Sequence, residues 1–170
     1  MTTATSIRRS SPIFTAGSAG SIAASDTDLP DDNHNASQGG YFVEWQPQFA
    51  TAEASGDIEI LSLNNSAGLL YYDATNSQLE ATDGVNTAVV SMTIVSGTTY
   101  KCWVAYGSGS LQVGFDSTTG TAGTFGGAFA TGTKMEIINP SAATTYVRNV
   151  RGYSSNFSNT VTTLQGLANP

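Results

Sequence analysis

Tyr100-Lys-Cys-Trp-Val-Ala-Tyr106 runs through Gly107-Ser-Gly-Ser110 into Leu111-Gln-Val-Gly-Phe-Asp116, and this stretch decides the fold. Side chains alternate in a period of two on either side of a short glycine-rich break, the pattern of a hairpin of half-buried antiparallel strands. Thr145-Tyr-Val-Arg-Asn-Val-Arg-Gly-Tyr153 repeats the alternation near the end of the chain. Two runs of this kind call for a second layer to bury their apolar face against, which predicts two packed sheets.

Further strands are expected outward from that hairpin. Tyr41 to Trp45 alternates and stops at Pro47; Asp57 to Leu63 is expected to place Ile58, Ile60 and Ser62 on one face and Asp57, Glu59, Leu61 and Leu63 on the other. Asn64-Asn65-Ser66 reads as a turn into Gly68 to Asp73, and Asn76-Ser77 as a turn into Gln78 to Ala81. Asp83-Gly84 precedes a strand over Ala88 to Ile94, and a loop over Ser117 to Gly132 leads to Lys134 to Ile138, which Pro140 ends. Thr144 to Tyr153 closes the series. The tail, Ser158 to Leu167, is rich in Thr and Val and is expected to hold a helical turn at most. About ten to twelve short strands without an amphipathic helix predict an all-β antiparallel sandwich over residues 41–170. Residues 1–40, rich in Ser, Ala, Gly, Thr and Asp, are expected to form a loosely held, extended N-terminal arm.

Composition narrows the partners. Thirteen acids stand against six Lys and Arg in 170 residues, for a net charge of −7, whereas nucleic-acid binding draws on clustered cations. Nucleic acid is therefore not an expected partner. The single cysteine, Cys102, can form no internal disulfide and sits in an alternating strand, where it is expected to be a buried small hydrophobe. Arg8 and Arg9 follow Met1 without an apolar run long enough for a signal-peptide core, and no segment reaches the length of a membrane span. Synthesis in a cytoplasm, with exit by lysis or inside an assembly, is the expectation.

The ordered series Gly39-Gly-Tyr-Phe-Val-Glu-Trp45, Ile60-Leu-Ser-Leu-Asn-Asn65, Gly68-Leu-Leu-Tyr-Tyr-Asp73, the Tyr100 to Asp116 hairpin and Thr145 to Tyr153 resembles the concanavalin A-like lectin/glucanase jelly roll, in the laminin-G-like form common in tailed-phage virion proteins. The likeness covers roughly Gly39 to Leu167, and its specificity lies in the order of the motifs. It implies a jelly roll of two curved antiparallel sheets, displayed on a virion as a decoration, fibre or adhesion domain. The expected role is a non-enzymatic virion protein, a capsid decoration or cement subunit bound to the major capsid protein or other virion proteins. By analogy it forms a homo-oligomer such as a trimer. Arg8, Arg9, Ile13 and Phe14 of the arm are the expected partner contacts. The alternative is a lectin-like domain that binds host surface polysaccharide, a glycan then being the partner. A fold of this kind fixes no chemistry by itself.

Four groups of residues are candidates for chemistry. Laminarinase-type glucanases of this fold carry three carboxylates written ExDxE, and Ser55-Gly-Asp57-Ile-Glu59 matches the last two. A retaining glycosidase needs two carboxylates about 5 Å apart, one of them the nucleophile. Ser55 stands where the first should be, so no catalytic residue is expected and the chain is read as no enzyme. Asp26, Asp28, Asp31 and Asp32, with Asn33, His34 and Asn35, offer hard oxygens to calcium but lack EF-hand spacing. They read first as a solvated loop, with no cofactor. Of Tyr41, Trp45, Tyr71, Tyr72, Trp103, Tyr106, Tyr146 and Tyr153, most are expected in the core and one or two outward. Arg148 and Arg151, three apart on a strand, are expected on opposite faces in separate surface ion pairs.

Overall fold

The computed structural model describes residues 35–63, 67–126, 129, 135–136 and 145–169. Eleven strands in two antiparallel sheets, one α-helix and a 3-10 turn at Thr51–Glu53 are described. The six-stranded sheet runs β11 (Thr145–Tyr153), β1 (Gly39–Pro47), β6 (Tyr100–Gly107), β7 (Ser110–Phe115), β8 (Thr118–Thr119), with β9 (Gly123–Thr124) also paired to β7. The five-stranded sheet runs β10 (Met135–Glu136), β2 (Asp57–Leu63), β3 (Ala67–Asp73), β4 (Gln78–Thr82), β5 (Thr87–Ser91). This is the two-sheet antiparallel sandwich that the alternating runs predict, in the jelly-roll form that the resemblance implies.

The core forms because odd positions of β1 and even positions of β6 turn toward the other sheet. Tyr41, Val43 and Trp45 meet Cys102, Val104 and Tyr106 there, with Ile58, Leu70, Tyr72 and Leu79 opposite. The Trp45 ring lies 6.0 Å from Tyr72 and 6.3 Å from Tyr100 and from Phe49, a cluster of large buried rings that contributes strongly to stability. Cys102 is fully buried, as expected, and burial pushes its thiol well above the usual range.

Several elements differ from the sequence expectation. β2 carries a bulge between Glu59 and Leu61, so Ile60 and Leu61 are both buried in the core, and Leu61 does not share the outer face with Asp57 and Glu59. β5 ends at Ser91; Ile94 leaves the ladder and bonds Thr51, its N–H to Oγ1 at 2.6 Å and its carbonyl from the Thr51 N–H at 3.1 Å. The expected loop after Asp116 contains β8 and β9, and Thr121 between them bridges Val89 of the opposite sheet. The first strand starts at Gly39, and the chain is already tied at Asn35, whose carbonyl accepts the Tyr106 hydroxyl at 3.0 Å. The expected turn at residues 64–66, the Pro140 break and the arm before residue 35 lie outside the described residues.

The largest difference is α1 (Phe157–Ala168), twelve residues where a single turn was expected. Asn156 caps it, Oδ1 accepting the Asn159 N–H at 3.0 Å, which satisfies an otherwise unpaired first-turn donor. Thr160, Leu164 and Ala168, spaced by four, form its buried stripe on the outer face of the six-stranded sheet, against Phe42, Trp103 and Ala105. Tertiary burial outweighs the modest helix propensity of its threonines and Val161. Gly40 permits the close approach: a Cβ there would meet Thr160 Cγ2 at 2.7 Å and Leu164 Cδ1 at 2.9 Å. Leu164→Ala should therefore cost about 2–5 kcal/mol of unfolding free energy, measured by urea titration. A loss below about 0.5 kcal/mol would mean that α1 does not hold to the sheet.

Candidate functional site

Of the two outer sheet faces, α1 packs on the six-stranded one, through β6, β1 and β7. No described helix packs on the five-stranded one. Its strand register sets two parallel rows of side chains: Glu59, Tyr71, Glu80 and Val89, then Asp57, Asp73, Gln78 and Ser91. The rows face outward because Ile58, Tyr72, Leu79 and Val90, which alternate with them, are in the core.

Hydrogen bonds fix the centre of this face. The Tyr71 hydroxyl donates to Glu80 Oε2 at 2.6 Å. Asp73 Oδ1 accepts the backbone N–H groups of Thr75 at 2.7 Å and Asn76 at 3.1 Å, while Asp73 Oδ2 accepts the Asn76 side-chain amide at 2.6 Å. These bonds make the β3–β4 turn and, led by that amide, hold the Asp73 carboxyl below its usual range. Glu80 goes the other way: burial pushes its carboxyl up, the Tyr71 hydroxyl pulls it down, and the charge of Asp73 adds to the rise. Burial also pushes the Tyr71 hydroxyl up, helped by Glu80. The face is thus a half-buried tyrosine ring among four carboxylates and the amide of Gln78, with its central carboxylate carrying an electrostatic cost.

Asp57 and Glu59 lie on this face as their alternation predicts, opposite Asp73 and Tyr71. β10 pairs only with Ser62 and Leu63, so the Asp57 end of β2 has no described neighbour on that side, where charge discourages edge pairing. Among the described residues no group of three or more His, Cys, Asp or Glu is arranged to hold a metal ion. Asp26, Asp28, Asp31 and Asp32, and the arm contacts Arg8, Arg9, Ile13 and Phe14, lie outside the described residues. Tyr41, Trp45, Tyr72, Trp103 and Tyr106 are buried, and Tyr71, Tyr146 and Tyr153 are partly exposed.

The Arg148 and Arg151 expectation is corrected. Phe42 pairs with Arg151 and Glu44 with Arg148, so two steps along β1 match three along β11. The extra residue is a bulge at Asn149, whose φ of 52° lies in the left-handed region. Val147 and Val150 consequently pack on the core, and both arginines share the outer face. Arg148 Nε donates to Glu44 Oε2 at 2.9 Å, whereas Arg151 lies over the Phe42 ring at 5.9 Å.

Sequence reasoning placed Tyr71 among eight candidate aromatics but did not single out Asp73 and Glu80. Asn76-Ser77 signals the turn, but the pairing of Asp73 with Gln78 and of Tyr71 with Glu80 is centred on the four-residue turn 74–77, one residue before the centre that Asn76-Ser77 alone implies.

No protein-family model matches the chain, and no curated protein matches it in sequence. Among solved structures, a sialidase of Trypanosoma rangeli in complex with a difluorinated sugar acid superposes with a TM-score of 0.54 at 14% identity, over 78% of this chain and 23% of the sialidase. The same sialidase in another structure gives a TM-score of 0.51 at 16% identity. A galectin of Caenorhabditis elegans aligns over 79% of this chain and 93% of its own, with a TM-score of 0.48 and 9% identity. The sialidase likeness shows the fold alone: this chain is a jelly-roll β-sandwich of the concanavalin A-like kind, and it spans under a quarter of the sialidase's length.

Glu80 provides a test of the electrostatics. A carboxyl whose folded pKa is raised weakens the fold as pH climbs through the carboxylate range, and costs nothing once protonated. Glu80→Gln keeps an acceptor for Tyr71 and removes the charge. At pH 7 it should raise Tm by at most a few degrees, solvent screening limiting the gain. The gain should vanish as pH falls below about 4. A gain that persists unchanged at pH 3.5, or a loss at pH 7, would contradict the assignment.

Proposed function

We propose that this chain is a carbohydrate-binding domain that recognises a hydroxyl-rich, uncharged saccharide on the outer face of its five-stranded sheet. The observation that carries this reading is the Tyr71 ring, held in place by its 2.6 Å bond to Glu80 and flanked by Glu59, Asp57, Asp73 and Gln78 on a sheet face over which no described helix lies. Sugars present apolar C–H faces, which pack on an aromatic ring, and hydroxyls, which donate to carboxylates and bond side-chain amides. Side chains already fixed by hydrogen bonds lose little freedom on binding, so such a face is pre-organised.

The domain holds its ligand and does not cleave it. Asp57 and Glu59 act here as acceptors. The capsid-decoration role implied by the resemblance would depend on the arm residues before residue 35, and nothing in the fold likenesses bears on a virion.

Screening the whole chain on a glycan array, followed by calorimetry with the best neutral oligosaccharide, tests the proposal. Tyr71→Ala should weaken binding at least about tenfold, or about 1.4 kcal/mol, while Tm stays within a few degrees. No binding to any neutral glycan, or affinity indifferent to Tyr71→Ala, would remove the assignment. Release of reducing ends that is lost in Asp57→Asn and Glu59→Gln would replace binding with hydrolysis.

A further inference from the structure

The outer face of the six-stranded sheet is not wholly covered by α1. The helix stripe sits on Phe42, Trp103 and Ala105, toward the Gly39 end of β1. From the helix border toward the Pro47 end, the register sets a strip along β11 and β1: Arg151 beside the buried Phe42 at the border, then Arg148 beside Glu44 and Tyr146 beside Gln46. The bulge at Asn149 builds this strip, because without it Arg148 and Arg151 would point to opposite sides of the sheet. Opposite two β1 residues, their backbones stand about 7 Å apart along the strand.

The two guanidinium groups are in different states. Arg148 is committed, bonding Glu44 and, through Nη2, Thr99 Oγ1 at 3.2 Å. Arg151 pairs across the strands with an aromatic residue instead of an acid, and its Nε is buried without a hydrogen-bond partner among the described residues. A buried donor in that condition costs about 1–3 kcal/mol, which a shift of this partly exposed side chain toward an incoming acceptor would recover. Its Cζ lies 5.9 Å from the centroid of the Phe42 ring, and a guanidinium carries the planar fork of donors that suits a bidentate carboxylate. Lys101, across from Glu44 on β6, adds a third cation; Glu44 and Asp116, which accepts the Lys101 backbone N–H at 3.0 Å, are the acids beside it.

We propose that this strip is a second binding site, for the uronate units of an acidic polysaccharide. Arg151 takes the carboxylate of one unit, Tyr146 offers a ring face to a neighbouring sugar beyond the Arg148–Glu44 pair, and the Gln46 amide, already bonded to the Gly97 carbonyl at 2.6 Å, lies beside Tyr146 on the same face. The choice of an acidic saccharide rests on charge: half of the chain's six Lys and Arg sit at this strip, on a molecule whose net charge is −7. The site is independent of the Tyr71 face, which lies on the other sheet.

Affinity electrophoresis and calorimetry of the whole chain with polygalacturonate, in 150 mM salt, test the site. Wild-type protein should bind polygalacturonate, Arg151→Gln should weaken it at least tenfold, and Arg151→Lys should recover only part of the loss, since it restores charge without the planar fork. Tyr71→Ala should leave this binding unchanged. Near-ultraviolet circular dichroism of each variant monitors Trp103 and its neighbours; should Arg151→Gln disturb that spectrum, Arg151→Lys and Tyr146→Ala carry the test. Absence of binding, equal binding of polyglutamate, or affinity indifferent to both Arg151 variants would overturn the proposal.

Discussion

Strand β1 is buried on both faces, and the rest of the structure depends on that constraint. Its odd residues, Tyr41, Val43 and Trp45, fill the space between the sheets, while Phe42 and Gly40 on the reverse side receive α1. Strands sandwiched in this way read as nearly continuous apolar runs, as Tyr41-Phe-Val does. β6 shares the arrangement, with Cys102 and Val104 inward and Trp103 and Ala105 outward. A three-layer centre therefore exists only where the helix lies, and the flanking strands are two-layered.

This asymmetry separates the chemistry of the two outer surfaces. The five-stranded sheet spreads carboxylates around one tyrosine on β2, β3 and β4, where Tyr71 and Glu80 anchor each other across strands and the β3–β4 turn holds Asp73. The six-stranded sheet spends one half of its surface on α1 and leaves the other half to β11, whose bulge gathers cations. The Arg148–Glu44 pair adds little stability, since the arginine side chain is 59% exposed. Its consequence is positional: it occupies one guanidinium and leaves the other beside an aromatic ring.

Much of the sandwich was legible because period-two alternation is a local property. The Tyr100 to Asp116 hairpin, the Asn76-Ser77 turn and the strand from Tyr41 can each be read from a few adjacent residues. The features that were not legible are those in which one strand slips against another. Nothing in Ile58-Glu-Ile-Leu announces that Ile60 and Leu61 both turn inward, because the bulge follows from what β3 presents. The same holds for Asn149, although an asparagine inside a valine-rich strand is a permissible left-handed position. α1 escaped notice because Thr and Val lower its propensity, while the Thr160, Leu164, Ala168 spacing and the Asn156 cap carried the signal. For the site, the acidic half of the surface was visible as Asp57 and Glu59, but its centre required pairing across the turn.

The Thr121 to Val89 bridge has a mechanical consequence. It joins the margin of one sheet to the margin of the other by a backbone hydrogen bond of 3.2 Å, as a spine joins two covers. That bond ties β5 to the segment between β8 and β9, so the two layers cannot part at this margin without breaking it.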